Sequence, residues 1–210
     1  MARPIEITYL ATSATSLGAT QAPTSGVALT LITQSNDVQR VLTLTSASNL
    51  SGINFVFTGT DASGNVVTET LAGPNANTVT TTNQYLINTN KLTIVPNGTS
   101  ASTLTVGVGA AGSTRWVGSN LHISPFNVTV AIVVLSGTVS VTVQDTPDEV
   151  NANALEGTSA PNTFNHPTLA TLTASAESNY AFPARYIRAV NASGTGSFKM
   201  YIIQAGLGGA

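Results

Sequence analysis

The sequence predicts an all-β protein, and three observations carry that prediction. Runs rich in Val, Ile, Thr, Phe and Tyr recur from Val27 onward, separated by clusters of Gly, Pro, Asn, Asp and Ser. Inside many runs apolar and polar residues alternate, the period of a strand with one wet face. No helical period of apolar residues persists for even three turns. The expected architecture is two β-sandwich, jelly-roll-like units in tandem behind an extended N-terminal segment. The expected boundaries are 1–26 for an N-terminal strand and arm, 27–110 for the first sandwich, 114–206 for the second, and 207–210 for a flexible tail.

Taken in order, Ile5, Ile7 and Tyr9 alternate with Glu6 and Thr8 and predict a short strand. Ala11 to Ser25 is small, polar and turn-rich, and reads either as an arm along a neighbouring subunit or as a surface loop. Val27 to Ile32 and Val38 to Thr45 follow as strands. Ile53, Phe55 and Phe57 form an aromatic stripe at period two, and Val66 to Leu71 returns from it through a hairpin loop at Asp61 to Asn65. Gly73 to Asn77 is a second tight connection. Val79 to Thr82, Tyr85 to Ile87, Leu92 to Val95 and Leu104 to Val108 complete the first unit. Gly109-Ala-Ala-Gly112 reads as a hinge or linker.

The second unit opens with Trp116, the only tryptophan, and with Leu121 and Ile123 alternating about His122. Its organising stretch is 125–145. Val128 to Leu135 is almost wholly apolar and β-branched, as in a strand buried on both faces. Ser136-Gly137-Thr138 offers a turn in which Gly137 takes a positive φ cheaply. Val139, Val141 and Val143 then alternate with Ser140, Thr142 and Gln144, so the whole reads as a β-hairpin. Thr146 to Pro167 is a long polar connection with at most a helical turn around Asp148 to Leu155. Leu169 to Ala174 is a further candidate strand, and Asn179 to Pro183 a compact aromatic corner. Tyr186 to Val190 and Phe198 to Ile203 read as a closing hairpin about Asn191 to Gly196.

Composition narrows the function. Only 8% of residues are charged, against about 25% in ordinary globular domains, while hydrophobic content is an unexceptional 42%. Small hydroxyls and amides replace the missing charge, and such a surface costs less to desolvate than one of Lys and Glu. That suits a protein packed against copies or neighbours, although any Thr-rich β-protein shares part of the bias. The net charge of −2 and the scattered Lys and Arg argue against a nucleic-acid partner. No apolar run reaches the roughly 18 residues of a bilayer span, and residues 1–20 lack the apolar core of a signal peptide. There is no cysteine, hence no disulfide or thiolate metal site, as befits synthesis in a bacterial cytoplasm.

Candidate chemistry is sparse. His122 and His166 would need each other and a carboxylate to hold zinc, and their settings favour structural roles. Asp145, Asp148 and Glu149 are the densest acidic cluster, but their spacing matches no cation loop, and Asp61 to Asn65 lacks a calcium loop's closing Glu. No nucleophile elbow or phosphate loop occurs. No catalytic, cofactor-binding or metal residue is therefore expected. Trp116, Tyr180, Phe182, Tyr186 and Tyr201 remain as aromatics able to face a subunit interface or a sugar.

Two stretches resemble known modules. Ile53 to Asn75, reading Ile-Asn-Phe-Val-Phe-Thr-Gly-Thr-Asp-Ala-Ser-Gly-Asn-Val-Val-Thr-Glu-Thr-Leu-Ala-Gly-Pro-Asn, resembles a β-hairpin module of tailed-bacteriophage structural proteins. Ile123 to Val128, Phe164 to Pro167, Asn179 to Pro183, Ala184 to Arg188, Gly194 to Gly196 and Ile203 to Gly206 together resemble a second such module. The resemblance implies a non-enzymatic virion protein that oligomerises and binds the capsid shell as a decoration or cement protein. Its partners would be the major capsid protein or other virion proteins and copies of itself. A neck, adaptor or tail component is the structural alternative. A carbohydrate-binding module or adhesin, displaying an exposed aromatic row, is the alternative of another class.

Overall fold

The structure is a computed structural model and describes residues 4–32, 38–87, 91–122, 126–150 and 161–204. Those residues are all-β, with fifteen strands and no helix. The expected helical turn at 148–155 lies partly outside the described residues, and the tail at 207–210 wholly so.

The chain divides into two units, but not at the expected places. One unit is Thr12–Gly112. The other joins Met1–Ala11 to Ser113–Ala210. The first unit is thus an insertion in the sequence of the second, where a tandem pair was expected. The expected N-terminal segment 1–26 is shared out accordingly. Strand β1 (Ile5–Tyr9) belongs to the discontinuous unit and β2 (Ser13–Gln21) to the inserted one. Ala11 to Ser25 is therefore no arm on a neighbour: β2 pairs with β8 of its own unit, Gly18 opposite Val106.

The inserted unit adds β3 (Val38–Thr45), β4 (Asn54–Thr60), β5 (Val66–Ala72), β6 (Thr78–Leu86), β7 (Thr93–Pro96) and β8 (Leu104–Thr114), whose last two residues fall in the other unit. Strands β2, β8, β3 and β6 lie in one sheet, and β5, β4 and β7 make another. Leu17, Leu42, Leu44, Tyr85, Leu104 and Val106 from the one meet Phe55, Phe57 and Ile94 from the other in a common core. Alternation places the aromatic stripe inward, as expected. The β4–β5 hairpin turns at Asp61–Asn65, where the Asp61 carboxylate accepts the backbone amides of Ser63 (2.8 Å) and Asn65 (2.9 Å). Two expectations fail. Val27 to Ile32 is not a strand, although Leu29 is buried and its amide bonds Ile94. Gly109 to Gly112 is not a linker but the continuation of β8, where small residues admit close neighbours. A Cβ at Gly109 would press on Val41.

The discontinuous unit holds β9 (Val117–Gly118), β10 (Val128–Ser136), β11 (Val141–Thr146), β12 (Phe164–Asn165), β13 (Ala176–Tyr180), β14 (Tyr186–Asn191) and β15 (Ser197–Gln204). One sheet runs β1-β15-β10-β13, and β12, β11, β14 and β9 pair in the other. Val128, Val130, Ile132, Phe198, Met200 and Ile202 of the first sheet are buried, as are Val141, Val143, Ile187 and Ala189 of the second. Tyr9 of β1 stacks on Phe198 at 4.7 Å between ring centroids.

Neither expected hairpin forms. Strand β10 pairs with β13 and β15, whereas β11 pairs with β12 and β14. The turn at Gly137 therefore carries the chain from one sheet to the other, and so does the β14–β15 connection. The two crossings pack together. The Gly196 amide donates to the Thr138 carbonyl (2.8 Å), and the Ser140 amide donates to that of Ser193 (3.1 Å). Gly137 has φ +65° and Gly194 +96°, and a Cβ on Gly196 would strike the Ser136 carbonyl oxygen. Strand β10 is also not buried on both faces: Val128, Val130 and Ile132 are buried, while Thr129, Ala131 and Val133 are half-buried. His122 lies in an exposed turn, its amide bonded to Asn120 (3.0 Å), and not in a strand.

Candidate functional site

The five aromatics singled out from sequence scatter over different surroundings. Trp116 and Tyr180 are buried, Tyr186 and Tyr201 half-buried, and Phe182 exposed. Tyr180 and Phe182 meet edge to face at 5.3 Å. Tyr186 gives its hydroxyl to Glu149 (2.8 Å), which also pairs with Arg185 (2.7 Å). Trp116 and Tyr180 being enclosed, these five do not form the exposed row that a sugar platform needs.

The acidic cluster separates likewise. Glu149 is engaged as described. Asp148 accepts the amide (2.7 Å) and side-chain nitrogen (2.9 Å) of Asn162. Asp145 is buried between the sheets near His166 and Tyr180. Burial pushes its carboxyl above the usual range, against the opposing pull of the Tyr180 hydroxyl and His166. Burial and the Asp145 carboxylate in turn push the Tyr180 hydroxyl far up. That hydroxyl is enclosed without a partner of good hydrogen-bond geometry. The His166 ring stands edge-on to Tyr180 at 4.6 Å. Its Nδ1 accepts the backbone amides of Thr168 (3.2 Å) and Leu169 (3.3 Å). Both ring nitrogens face protein groups, the other lying 3.4 Å from the Asn179 carbonyl. A ring held this way ties the segment after β12 to the core. Among the described residues no group of three His, Asp or Glu side chains could hold a metal.

Two outward surfaces of the discontinuous unit are more informative. The first is the solvent side of β1-β15-β10-β13. Register sets Thr129 opposite Ile203, Ala131 opposite Tyr201 and Val133 opposite Lys199 along the central β10–β15 pair. Glu6 of β1 flanks Tyr201 on one side, and Glu177 of β13 flanks Ala131 on the other. Ile203 is 43% exposed, and Leu135, where the β10 register shifts, is 50% exposed. Ala131, Val133, Tyr201 and Ile203 form the apolar part of this face, with Glu6 and Glu177 on the outer strands and Lys199, paired with Glu6, at one end of the central pair.

The second is a row across the other sheet that runs from exposed Asn165 through half-buried Gln144 and Arg188 to buried Trp116. Gln144 donates to Asn165 (3.0 Å) and accepts both Nε (3.1 Å) and Nη2 (2.9 Å) of Arg188. The guanidinium lies over the Trp116 ring, 4.2 Å from its centroid. Burial lowers the Arg188 guanidinium to about 10. Sequence reading missed Arg188, Gln144 and Asn165. The available signal was their alternation with the buried Ile187 and Ala189 and with Val143 and Asp145, but only the register aligns them.

The chain matches no family model, and a search of curated proteins finds no match.

Proposed function

We propose that this chain is a non-enzymatic structural protein of a tailed-phage virion, oligomerising and binding the capsid shell as a decoration or cement protein. The observation that carries the proposal is the outward face of β10 and β15. Strand β10 is apolar on both sides, yet the unit packs only one of them in its own core. Ala131, Val133, Tyr201 and Ile203 present an apolar stripe between Glu6 and Glu177. That is the pattern of an interaction patch with a charged rim. The 8% charge content supports the same conclusion, because few ions need desolvating when copies pack. Repetition over a shell makes individually weak contacts durable. The resemblance of Ile53–Asn75 and of the closing segments to phage modules supplies the setting.

The test is the copy number of this chain in purified particles, by quantitative mass spectrometry against the major capsid protein. The shell role expects one copy per capsid subunit or a simple fraction of it. A handful of copies moves the protein to the neck or tail, and absence from particles overturns the proposal. In parallel, Val133→Glu on the half-buried outward face should leave the chain folded by circular dichroism while lowering its incorporation.

A further inference from the structure

Three basic side chains in the discontinuous unit have partners of different kinds. Arg185 holds Glu149 at 2.7 Å, and Lys199 holds Glu6 at 2.5 Å. Arg188, more enclosed than Arg185, has no carboxylate among the described residues; its acceptor is the neutral amide of Gln144. A half-buried cation without a counter-charge is costly, and that cost marks the group as a candidate binding site.

The surroundings define what that ligand is. Arginine has five N–H donors in a planar fork. Nε and Nη2 both reach Gln144 Oε1, and Asn165 holds the far side of the same amide, which fixes its oxygen toward Arg188. Trp116 supports the flat face of the guanidinium. The end-on pair, Nη1 and the second hydrogen of Nη2, is left without an acceptor among the described residues. The indole Nε1 of Trp116, in a residue only 6% exposed, is likewise enclosed with no acceptor.

We propose that Arg188, laid on Trp116 and held along one edge by Gln144, is the anchor of a carboxylate-binding site. Two parallel N–H donors match the two oxygens of a carboxylate, and a single positive charge neutralises it. A phosphate dianion would bring two negative charges against the single positive charge of the Arg188 fork. The proposal stands independently of the virion role.

Trp116 is the only tryptophan, so its fluorescence reports directly on the guanidinium above it. The whole chain is titrated with acetate, with N-acetyl-glutamate amide and with inorganic phosphate, replacing chloride at constant ionic strength. The expected result is a saturable change with both carboxylates and a weaker one with phosphate. A tighter response to the glutamate mimic assigns the ligand to a protein side chain, and an equal response to a small free acid; both support the site. Arg188→Lys keeps the charge and removes the fork, and should weaken the response at least about tenfold. Gln144→Glu places an internal carboxylate beside the fork and should abolish the response while the chain stays folded. An unchanged response in Arg188→Lys, a non-saturable one, or phosphate binding tighter than acetate would overturn the proposal.

Discussion

Each unit sets a buried tyrosine against a carboxylate, and the two pairs are built differently. In Thr12–Gly112, Glu69 of β5 reaches toward β6 where the β3–β6 register shifts. The irregularity frees backbone amides, and Glu69 accepts those of Thr82 (2.9 Å) and Asn83 (3.0 Å) together with the Thr82 hydroxyl (3.1 Å). Burial, with the nearby Glu69 charge, pushes the Tyr85 hydroxyl up to about 12. In the other unit Asp145 sits in β11, whose paired residues spend their amides on the ladder. It is buried without such a nest, and it is the carboxyl itself that is pushed up. The two carboxylates thus differ in setting: half-buried Glu69 receives amides that a bulge frees, whereas Asp145 is enclosed in a regular ladder, where burial favours its protonated form.

Four substitutions break or sharpen this contrast, from the largest effect to the smallest. Gly196→Ala drives a methyl into the Ser136 carbonyl, where backbone must move, and should destabilise the discontinuous unit by about 3 kcal/mol. Trp116 fluorescence during urea unfolding measures that loss. Glu69→Ala hands the two freed amides and the Thr82 hydroxyl, all exposed, back to water, and should cost about 1 kcal/mol, read from the denaturation midpoint by circular dichroism. Were the loss negligible, the bulge would not depend on its carboxylate.

Asp145→Asn probes the other pair through pH. The folded carboxyl titrates above its ordinary 3.8, so the folded state keeps a proton that the unfolded chain has lost. The resulting stability is complete below pH 3.8 and disappears as pH rises through the folded value. Wild type minus Asp145→Asn should therefore fall across that window in pH-stepped urea titrations. A difference that rises with pH would reverse the assignment. Tyr85→Phe should change neutral stability by less than about 1 kcal/mol, because the hydroxyl it removes has no partner of good geometry. The raised phenol stabilises the fold fully below pH 10, and that contribution vanishes between 10 and about 12. Alkaline unfolding followed by circular dichroism should accordingly be less steep in the variant.

What the residues disclose in advance follows the same physical line. Alternation set Phe55 and Phe57 on one face and Val141 and Val143 on another, and the structure buries all four. The Asp61 turn and the positive φ of Gly137 were also legible, because both are local chemistry. Period two does not say which strand lies alongside, and a glycine turn serves equally to fold back within a sheet or to cross between sheets. Hence β10–β11 and β14–β15 read as hairpins and are crossings. The same ignorance of register hid the row from Asn165 to Trp116 and the burial of Asp145. Tyr180 and Phe182 read alike as aromatics of one corner; two positions apart, they differ in burial because Tyr180 points between the sheets at the end of β13.

The pairing of β1 with β15, Ile5 opposite Ile202, has a consequence for how the molecule comes into being. Thr12–Gly112 contains its own strand partners and can condense as soon as its residues are made. The strand that precedes it must wait for the ribosome to reach Ile202, holding Ile7 and Tyr9 uncovered until Met200 and Phe198 arrive. Closing so long a loop is slow compared with forming the β4–β5 hairpin. During that wait the open edge of the sheet is the segment most exposed to mispairing or capture by another chain.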